Sequence, residues 1–331
     1  MEKIKVGVIG TGHLGKLHTK MFALIEECKL IGVYDKDSTQ AESVAKEFNC
    51  KLFNTIDELL NEVDAVSIAA ITSAHHEIGK YCLEKGVHIF IEKPITVTIE
   101  EAEDLVKTAT EKRLNLQVGH IERFNPALLA LEKYNIEPKF IQTDRLAQFN
   151  PRGTDVAVVL DLMIHDIDII LSLVKSEVAK VDASGVAVVS DTIDIANARI
   201  EFENGAIANV TASRISQKKM RKMRIFQKDN YISLDFTTGV SEVFRLVPAN
   251  EQVDSAHINY GEIGIGDRKK KVIYEQPEQI EVNALMYELR LFILSIQNNE
   301  KPIVSGEDGL RALKVARMII EKIEDSIKKV L

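Results

Sequence analysis

Val6-Gly7-Val8-Ile9-Gly10-Thr11-Gly12-His13-Leu14-Gly15 is the stretch that decides the fold, because an apolar strand runs directly into a Gly-x-Gly-x-x-Gly pattern. Gly10 allows a tight turn, Gly12 lets the backbone approach a phosphate, and Gly15 lets the next helix pack closely on the strand. Apolar residues at helical spacing from Leu14 to Ile25 supply that helix. A strand, this pattern and a helix in succession predict a turn that binds the pyrophosphate of a dinucleotide. A glycine-rich turn without a ligand is the less favoured alternative.

An acidic residue follows the second predicted strand, Leu30–Tyr34. Asp35 lies twenty residues past Gly15, where a carboxylate accepts the hydroxyls of an adenosine ribose and repels a 2′-phosphate. This position predicts NAD as the cofactor, with NADP less favoured. The alternatives are an aspartate that caps a helix or a turn, and Lys36 would weaken the discrimination against NADP.

The first 121 residues alternate apolar strands with helical patterns. Further strands are expected at Ala65–Ala69, Val87–Ile91 and Leu114–Val118. Continuous apolar strands that alternate with helices are typical of a parallel sheet buried on both faces. Residues 1–121 are therefore predicted to form an NAD-binding Rossmann domain with a doubly wound parallel sheet.

The pattern changes after residue 121. Two turn signals, Glu203-Asn204-Gly205 and Lys228-Asp229-Asn230, separate short strands and predict hairpins of an antiparallel sheet. Residues 122–331 are therefore predicted to form a substrate-binding and oligomerisation domain of α/β class with a large, mainly antiparallel sheet. Helices are expected in this domain at residues 122–134, 155–174, 282–297 and 306–323.

The composition indicates a water-soluble globular protein. Hydrophobic residues make up 45% and charged residues 28% of the 331 residues, and the net charge is −8. No apolar run is long enough to span a membrane, and the first residues show no signal-peptide pattern, so we expect a cytoplasmic protein without a membrane partner. Only the stretch Lys218–Arg224 is strongly basic, and its alternation predicts a solvated strand face, so no nucleic-acid partner is expected. Three dispersed cysteines argue against disulfides and a zinc site.

Two segments carry residues suited to chemistry on an alcohol. Lys93 lies at the end of an apolar strand, followed by Pro94, and ligands of parallel sheets bind beyond the carboxyl ends of the strands. Asp161, His165 and Asp168 are spaced i, i+4 and i+7 in a very apolar predicted helix, which places them on one face. A histidine paired with a carboxylate can take the proton of an alcohol near neutral pH.

Other interpretations of these residues remain open. Lys93 could be a surface lysine, and His165 could be a hydrogen-bonded core histidine. Asp161, His165, Asp166 and Asp168 could together hold a metal ion. We rank the metal lower and predict none, because the nucleotide site already supplies an electron acceptor for hydride transfer.

The combined motifs resemble those of a known family. Gly10-x-Gly12-x-x-Gly15, Glu92-Lys93-Pro94 and Asp161-x-x-x-His165 occur in the order seen in the Gfo/Idh/MocA oxidoreductases, and residues 306–310 also look like that family. The resemblance covers nearly the whole chain. It implies a Rossmann domain followed by an α/β domain with a mainly antiparallel sheet.

The resemblance also implies roles for individual residues. Lys93 would contact the substrate and the nicotinamide ribose, and Asp161 and His165 would be the aspartate and the proton-shuttling histidine. Thr72-Ser73-Ala74-His75 looks like a loop that lies beside the cofactor, with Ile71 in place of the family's usual proline. The implied cofactor contacts are Gly10, Thr11, Gly12, His13, Leu14, Gly15, Asp35, Ala70, Thr72, His75, Glu92 and Lys93.

Residues 118–126 and 161–168 look most like a nucleotide-sugar branch of this family, which includes UDP-N-acetylglucosamine 3-dehydrogenases. The implied function is hydride transfer between NAD and a secondary alcohol of a sugar, such as the 3-position of UDP-N-acetylglucosamine. Arg123 would then be a cation near a substrate diphosphate, or else an ordinary helix-start arginine. The alternatives are an inositol or free-sugar dehydrogenase and, from another class, a non-catalytic NAD-binding regulator.

The second domain is also expected to self-associate. Strands such as Ile193–Phe202 and Ala206–Ala212 are interpreted as apolar on both faces, and few helices follow them to cover a second face. An uncovered apolar sheet face usually marks an interface. We therefore expect a homodimer or homotetramer, and the resemblance points the same way.

Overall fold

The structure is a computed structural model that describes residues 2–150, 156–251 and 258–328. The chain divides into two compact units, Met1–Phe124 with Val282–Lys314 and Asn125–Glu281 with Val315–Leu331. The sequence prediction placed every residue after 121 in the second domain, whereas Val282–Lys314 belongs to the first unit. Among the helices that the structure describes, none is long and apolar enough to cross a membrane.

The first unit contains a six-stranded parallel sheet with the order β3-β2-β1-β4-β5-β6. The strand order reverses between β1 and β4, which is where ligands bind in doubly wound sheets. The predicted Rossmann architecture is therefore confirmed. Its strands are β1 Ile4–Ile9, β2 Cys28–Tyr34, β3 Lys51–Leu52, β4 Ala65–Ile68, β5 His88–Glu92 and β6 Leu116–Gly119.

Side-chain caps begin several of the helices. At α5, Thr98 and Glu101 form a reciprocal capping box. At α9, the backbone N–H and the hydroxyl of Ser305 both donate to Asp308. In chain order the helices are α1 His13–Phe22, α2 Ser38–Glu47, α3 Ile56–Leu60, α4 His75–Glu84, α5 Ile99–Lys112, α6 Pro126–Leu129, α7 Ile164–Val174, α8 Ala284–Gln297 and α9 Gly306–Lys328.

Helix α8 explains why part of the C-terminal sequence returns to the first unit. Its apolar side chains Leu289, Phe292 and Ile293 are buried in one core with Val8 of β1 and Phe90 of β5. The rings of Phe90 and Phe292 meet edge to face with their centroids 5.9 Å apart. Because this helix covers the sheet beside α1, the Rossmann core is completed by residues 165 to 178 positions after the end of its last strand.

The second unit contains a nine-stranded sheet with the order β14-β15-β13-β12-β11-β7-β10-β9-β8. Only the β7–β10 pair is parallel among its described strand pairs, so the predicted mainly antiparallel sheet is confirmed. Both predicted hairpins are present, β9–β10 and β11–β12. The strands are β7 Phe140–Leu146, β8 Val178–Val186, β9 Ile195–Phe202, β10 Ile207–Ser213, β11 Met220–Gln227, β12 Asn230–Asp235, β13 Val240–Pro248, β14 Ile258–Ile263 and β15 Lys270–Glu275.

The helix predicted at residues 122–134 is not continuous. A 3-10 turn covers Ile121–Phe124, and α6 is a separate single turn. Pro126 explains the break, because proline disfavours helical geometry at the preceding residue and is well tolerated at the first position of a new helix. Asn125 caps that new start by accepting a hydrogen bond from the N–H of Ala127.

The outward face of the nine-stranded sheet is less apolar at β9 and β10 than the sequence predicted. On β9 and β10 this face carries polar residues such as Asn197, Arg199, Asn209 and Thr211, so these two strands are not apolar on both faces. The error came from counting apolar residues without fixing the two-residue alternation of each strand. The same face instead carries an aromatic row across adjacent strands, with ring centroids 4.9–6.0 Å apart. Its members are Phe140, Phe226, Tyr231, Phe244, Tyr260 and Tyr274.

Candidate functional site

The glycine-rich loop between β1 and α1 has the geometry that its sequence predicted. Gly10 has a φ of +89°, and a Cβ there would lie 2.8 Å from the backbone of Ala69. A Cβ on Gly15 would lie 1.8 Å from the carbonyl oxygen of Gly10, so the helix packs on the turn only without a side chain. A Cβ on Gly12 would instead meet nothing within 4 Å. The loop is therefore open to a ligand at Gly12.

The same loop fits the pyrophosphate of a dinucleotide. Gly12 precedes α1 and provides no side-chain cap, and the first turn of α1 contains no acidic residue. The first N–H groups of a helix lack partners within the helix, and its positive dipole end favours an anion. An uncapped helix start with open space beside it therefore suits the phosphates, and His13 and Leu14 are exposed at this start.

Asp35 lies beside this loop, as the prediction of an adenosine-ribose contact requires. Its Oδ2 accepts hydrogen bonds from the N–H of Thr11 at 2.5 Å and from the Thr11 hydroxyl at 3.0 Å. Its Oδ1 accepts from the N–H of Asp37 at 3.0 Å, which is a turn contact. The helix-capping alternative does not apply, because Asp37 caps α2 by accepting from the N–H of Gln40.

The loop after β4 is tied to the segment after β5 by a buried histidine. Nδ1 of His75 lies 3.0 Å from the carbonyl oxygen of Pro94, and Nε2 lies 3.1 Å from that of Ala70. Burial lowers the pKa of His75, although the two carbonyl contacts act in the opposite direction. The peptide bond between Lys93 and Pro94 is cis. Thr72 begins a 3-10 turn in this loop.

Glu92 ends β5 at the carboxyl edge of the parallel sheet, and Lys93 follows it directly. The carboxylate of Glu92 points inward, where Oε1 lies 3.0 Å from Nε2 of the fully buried His18. Its Oε2 accepts a hydrogen bond of 3.2 Å from the N–H of Lys93. Lys93 itself is partly exposed at this edge, as expected of a side chain that contacts a ligand.

The segment that carries Asp161 and His165 in the second unit is not one regular α-helix. A π-helical turn covers Val159–Met163, and α7 begins only at Ile164. Such turns inside helices are rare and occur often at functional sites. The start predicted at Asp155 lies outside the described residues.

Of the three residues predicted to share one helix face, Asp161, His165 and Asp168, the prediction is wrong for Asp168. Asp161 and His165 are partly exposed, but Asp168 is 1% exposed and therefore does not share their exposed face. The π-helical turn ends before His165, so it changes the angle between Asp161 and His165 but not the angle between His165 and Asp168, which both lie in α7. Within the described residues, no group of three or more His, Cys, Asp or Glu side chains is arranged to hold a metal ion.

A buried ion pair fixes the start of α7. Arg145 of β7 donates to both carboxylate oxygens of Asp166 at 2.8 and 2.9 Å, and both side chains are almost fully buried. Planar two-point pairing of this kind sets orientation as well as distance. Because Asp166 directly follows His165, the pair anchors the backbone that carries the candidate base.

A second buried pair organises the chain before α7. Asp194 lies 3.1 Å from Nε of Arg214, and that arginine donates at 2.7 Å to the carbonyl oxygen of Val156. Burial alone would raise the pKa of Asp194, but hydrogen bonds from Ser190 and from neighbouring backbone N–H groups hold it well below its usual range. The ionised carboxylate thus orders the segment that leads to Asp161.

Arg123 lies in the first unit, within the 3-10 turn Ile121–Phe124. It is partly exposed, and its N–H donates to the carbonyl oxygen of His120 at 2.9 Å. It is not at the start of an α-helix, so that alternative does not describe it. A contact with a substrate diphosphate stays a prediction.

Comparison with known protein families accounts for both units. Residues 4–120 match the model of an oxidoreductase family with an NAD-binding Rossmann fold, and residues 139–239 match the Gfo/Idh/MocA C-terminal domain. The chain belongs to the Gfo/Idh/MocA family. As a member of this family it is an oxidoreductase that acts on CH–OH groups with NAD.

Individual relatives within the Gfo/Idh/MocA family span the whole chain. The UDP-N-acetylglucosamine 3-dehydrogenase of Acidithiobacillus ferrooxidans is 36% identical over 99% of this chain and 100% of its own length. A solved structure of that enzyme covers 98% of this chain and 99% of its own with a TM-score of 0.87. The myo-inositol 2-dehydrogenase of Thermotoga maritima is 24% identical over 97% of each chain. A levoglucosan dehydrogenase structure, 20% identical with a TM-score of 0.83 and covering 98% of each chain, shares the fold.

Three residues that support the Gfo/Idh/MocA motifs were not found from the sequence. His18 contacts Glu92, and Arg145 pairs with Asp166, the residue after His165. His18 follows Gly15 by three residues on the buried side of α1, and a polar residue on an apolar helix face was the available signal. Asp166 was considered only as a metal ligand, and no sequence signal linked it to Arg145.

Proposed function

We propose that this chain is an NAD-dependent dehydrogenase that oxidises the 3-hydroxyl of UDP-N-acetylglucosamine or a similar nucleotide sugar. The observation that carries the proposal is the 36% identity to the UDP-N-acetylglucosamine 3-dehydrogenase over essentially the full length of both chains. The inositol dehydrogenase relative is 24% identical over a similar span, which favours the nucleotide sugar over a free polyol.

The first unit would hold the cofactor. The open turn at Gly12 and the uncapped start of α1 would receive the pyrophosphate, and Asp35 would accept the ribose hydroxyls. Bound NAD supplies the hydride acceptor for oxidation of the alcohol. Lys93 would donate a hydrogen bond to the substrate oxygen and stabilise the negative charge that develops there.

The second unit would supply the proton acceptor. His165 would take the hydroxyl proton, which is common work for an imidazole near neutral pH. Asp161 would orient the imidazole and balance its positive charge. In the reverse direction, the imidazolium would return the proton to the alkoxide oxygen.

A turnover assay with NAD and a panel of UDP-sugars and polyols tests the substrate. We expect NADH formation with UDP-N-acetylglucosamine or a close analogue and none with free inositols. Turnover of polyols alone would replace the proposal with the inositol or free-sugar alternative. Tight NAD binding without turnover of any panel member would favour the non-catalytic regulator.

Replacement of the proposed base tests the mechanism. His165→Ala should lower kcat by about a hundredfold or more, the usual contribution of a positioned acid–base group. The NAD dissociation constant should stay unchanged, because the glycine-rich loop and Asp35 are intact. His76→Ala is the matched control, because this histidine lies on the surface in a pair with Asp104. A folded His165→Ala enzyme with near-normal kcat at its pH optimum would refute the role of His165.

A further inference from the structure

A chain of buried polar groups connects α1 to the end of β5 in the first unit. His18 is fully buried, with Nδ1 at 2.7 Å from the hydroxyl of Ser67 and Nε2 at 3.0 Å from Oε1 of Glu92. The imidazole also meets the ring of Phe90 edge to face. A serine, a histidine and an acid in contact can form a nucleophile, but Ser67 is fully buried and no substrate could reach it.

The protonation states in this chain follow from the charge on Glu92. Burial would raise the pKa of Glu92, but the hydrogen bond and charge of His18, together with the charge of Lys93, hold it below its usual value. An ionised Glu92 only accepts hydrogen bonds, so Nε2 of His18 carries the proton. Nδ1 of the same ring lies 2.7 Å from the Ser67 hydroxyl, which can donate or accept at this contact.

The carboxylate of Glu92 has little freedom to move. It packs against Gly119 of β6, where a Cβ would lie 3.1 Å from the carboxyl atoms. Its second oxygen holds the backbone N–H of Lys93. Among the described residues, the charged and titratable groups that act on it include His18 from α1, His75 from α4 and Lys93, which follows it in the chain.

We propose that His18 is a positioning residue, which acts through Glu92 to keep a fixed negative charge and a fixed backbone at Lys93. The inference rests on the proposed role of Lys93 and adds a residue that no motif includes. His18 lies on the helix whose N-terminus would hold the pyrophosphate, so the contact couples cofactor binding to the placement of Lys93.

Loss of His18 should make activity depend on pH in a new way. Without its partner, Glu92 would remain buried and its pKa would rise, because burial penalises the charged form. Activity that requires ionised Glu92 would then fall as pH decreases through the raised pKa and return as pH increases. A side chain with an N–H at the Nε2 position should prevent this change.

Four variants separate positioning from simple packing. His18→Leu removes the donor, and His18→Gln keeps an N–H near the Nε2 position. His18→Leu/Glu92→Leu removes both buried polar groups and so restores packing without the charge. His88→Leu is the control, because His88 lies on the same β5 strand and accepts from the N–H of Asn115, away from Lys93.

We expect His18→Leu to lower kcat at pH 7 by about tenfold or more. Its kcat should then rise with increasing pH as Glu92 ionises, a rise that the wild-type profile lacks. His18→Gln should restore the wild-type profile, and the double variant should regain thermal stability but stay low in kcat at every pH. His88→Leu should keep the wild-type profile. Identical pH profiles in His18→Leu and wild type, or recovery of kcat in the double variant, would overturn the proposal.

A measurement without substrate keeps this test independent of the proposed function. Titration of ¹³C-labelled glutamate by NMR, with Glu92→Gln to assign the signal, should show a higher pKa for Glu92 in His18→Leu than in wild type. If wild type fails to oxidise any UDP-sugar but this shift is present, the proposed function fails and the coupling between His18 and Glu92 stands. If Glu92 titrates in His18→Leu as it does in wild type, the proposed coupling is refuted, whichever substrate the enzyme uses.

Discussion

Removal of Asp166 should destabilise the second unit far more than removal of an exposed acid. Arg145 pairs with Asp166 at 2.8 and 2.9 Å, and the two side chains are 4% and 2% exposed. Asp166→Ala would leave a buried guanidinium without this partner. Loss of one member of a buried pair costs about 3–5 kcal/mol. The consequence would be local, because the pair joins the central strand β7 to α7.

A double variant separates the stability lost when Arg145 remains buried without Asp166 from the net contribution of the pair to stability. Arg145→Met/Asp166→Leu removes both charges and refills the space, and such replacements are often neutral or stabilising. The double variant should therefore recover most of the stability that Asp166→Ala loses. The control is Glu201→Ala on β9, where Arg199 and Glu201 form a pair that is about 40% exposed. Its loss should cost about 1 kcal/mol or less.

Hydrogen exchange followed by mass spectrometry resolves this difference by segment. In Asp166→Ala, exchange in peptides from β7 and α7 should accelerate by roughly a hundredfold or more, since each 1.4 kcal/mol is a factor of ten. The first unit should exchange as in wild type. Equal exchange in Asp166→Ala and Glu201→Ala would refute the argument that this pair anchors the backbone of His165.

Two further predictions concern the cofactor and the assembly. Asp35→Ser should weaken NAD binding by about tenfold or more, because a charged hydrogen-bond acceptor for the ribose is lost. The preference of the enzyme for NAD over NADP should also become smaller. Titration gives the dissociation constants of both cofactors, and an unchanged ratio of the two constants would contradict the prediction. Phe226 and Tyr260 are 39% and 62% exposed in the aromatic row, so we expect the protein to self-associate through that sheet face. Phe226→Lys should then lower the mass found by sedimentation, and a wild-type monomer at micromolar concentration would contradict the prediction.

The parts of the fold set by local sequence were predictable. The turn at Gly10 and the packing at Gly15 depend on neighbours within a few residues or on the adjacent strand, so the glycine pattern sufficed. The hairpin at Glu203–Gly205 was predictable for the same reason. In each case the spacing of residue types already determines the backbone geometry.

Features that depend on distant contacts were not predictable. Helix α8 has an apolar face that could cover either sheet, and only packing against Val8 and Phe90 decides between them. No residue type in the apolar run indicates the π-helical turn Val159–Met163, and the burial of Asp168 depends on packing around α7 that residue spacing alone does not show. Pro126 was a visible helix-breaking signal that the prediction at residues 122–134 passed over.

A common arrangement supports both candidate catalytic side chains. Lys93 directly follows Glu92, the last residue of β5, and His165 directly precedes Asp166 in α7. Both of these acids are turned inward and paired. Neighbouring side chains on a helix point about 100° apart, and Lys93 lies just past the end of β5, so in each case one residue is anchored inside while its neighbour is partly exposed. A buried charge tolerates little displacement from its partner, since separation leaves it unpaired in a medium of low dielectric constant. Each anchored acid therefore restricts the backbone of its neighbour, and a site built this way keeps its geometry before any ligand arrives.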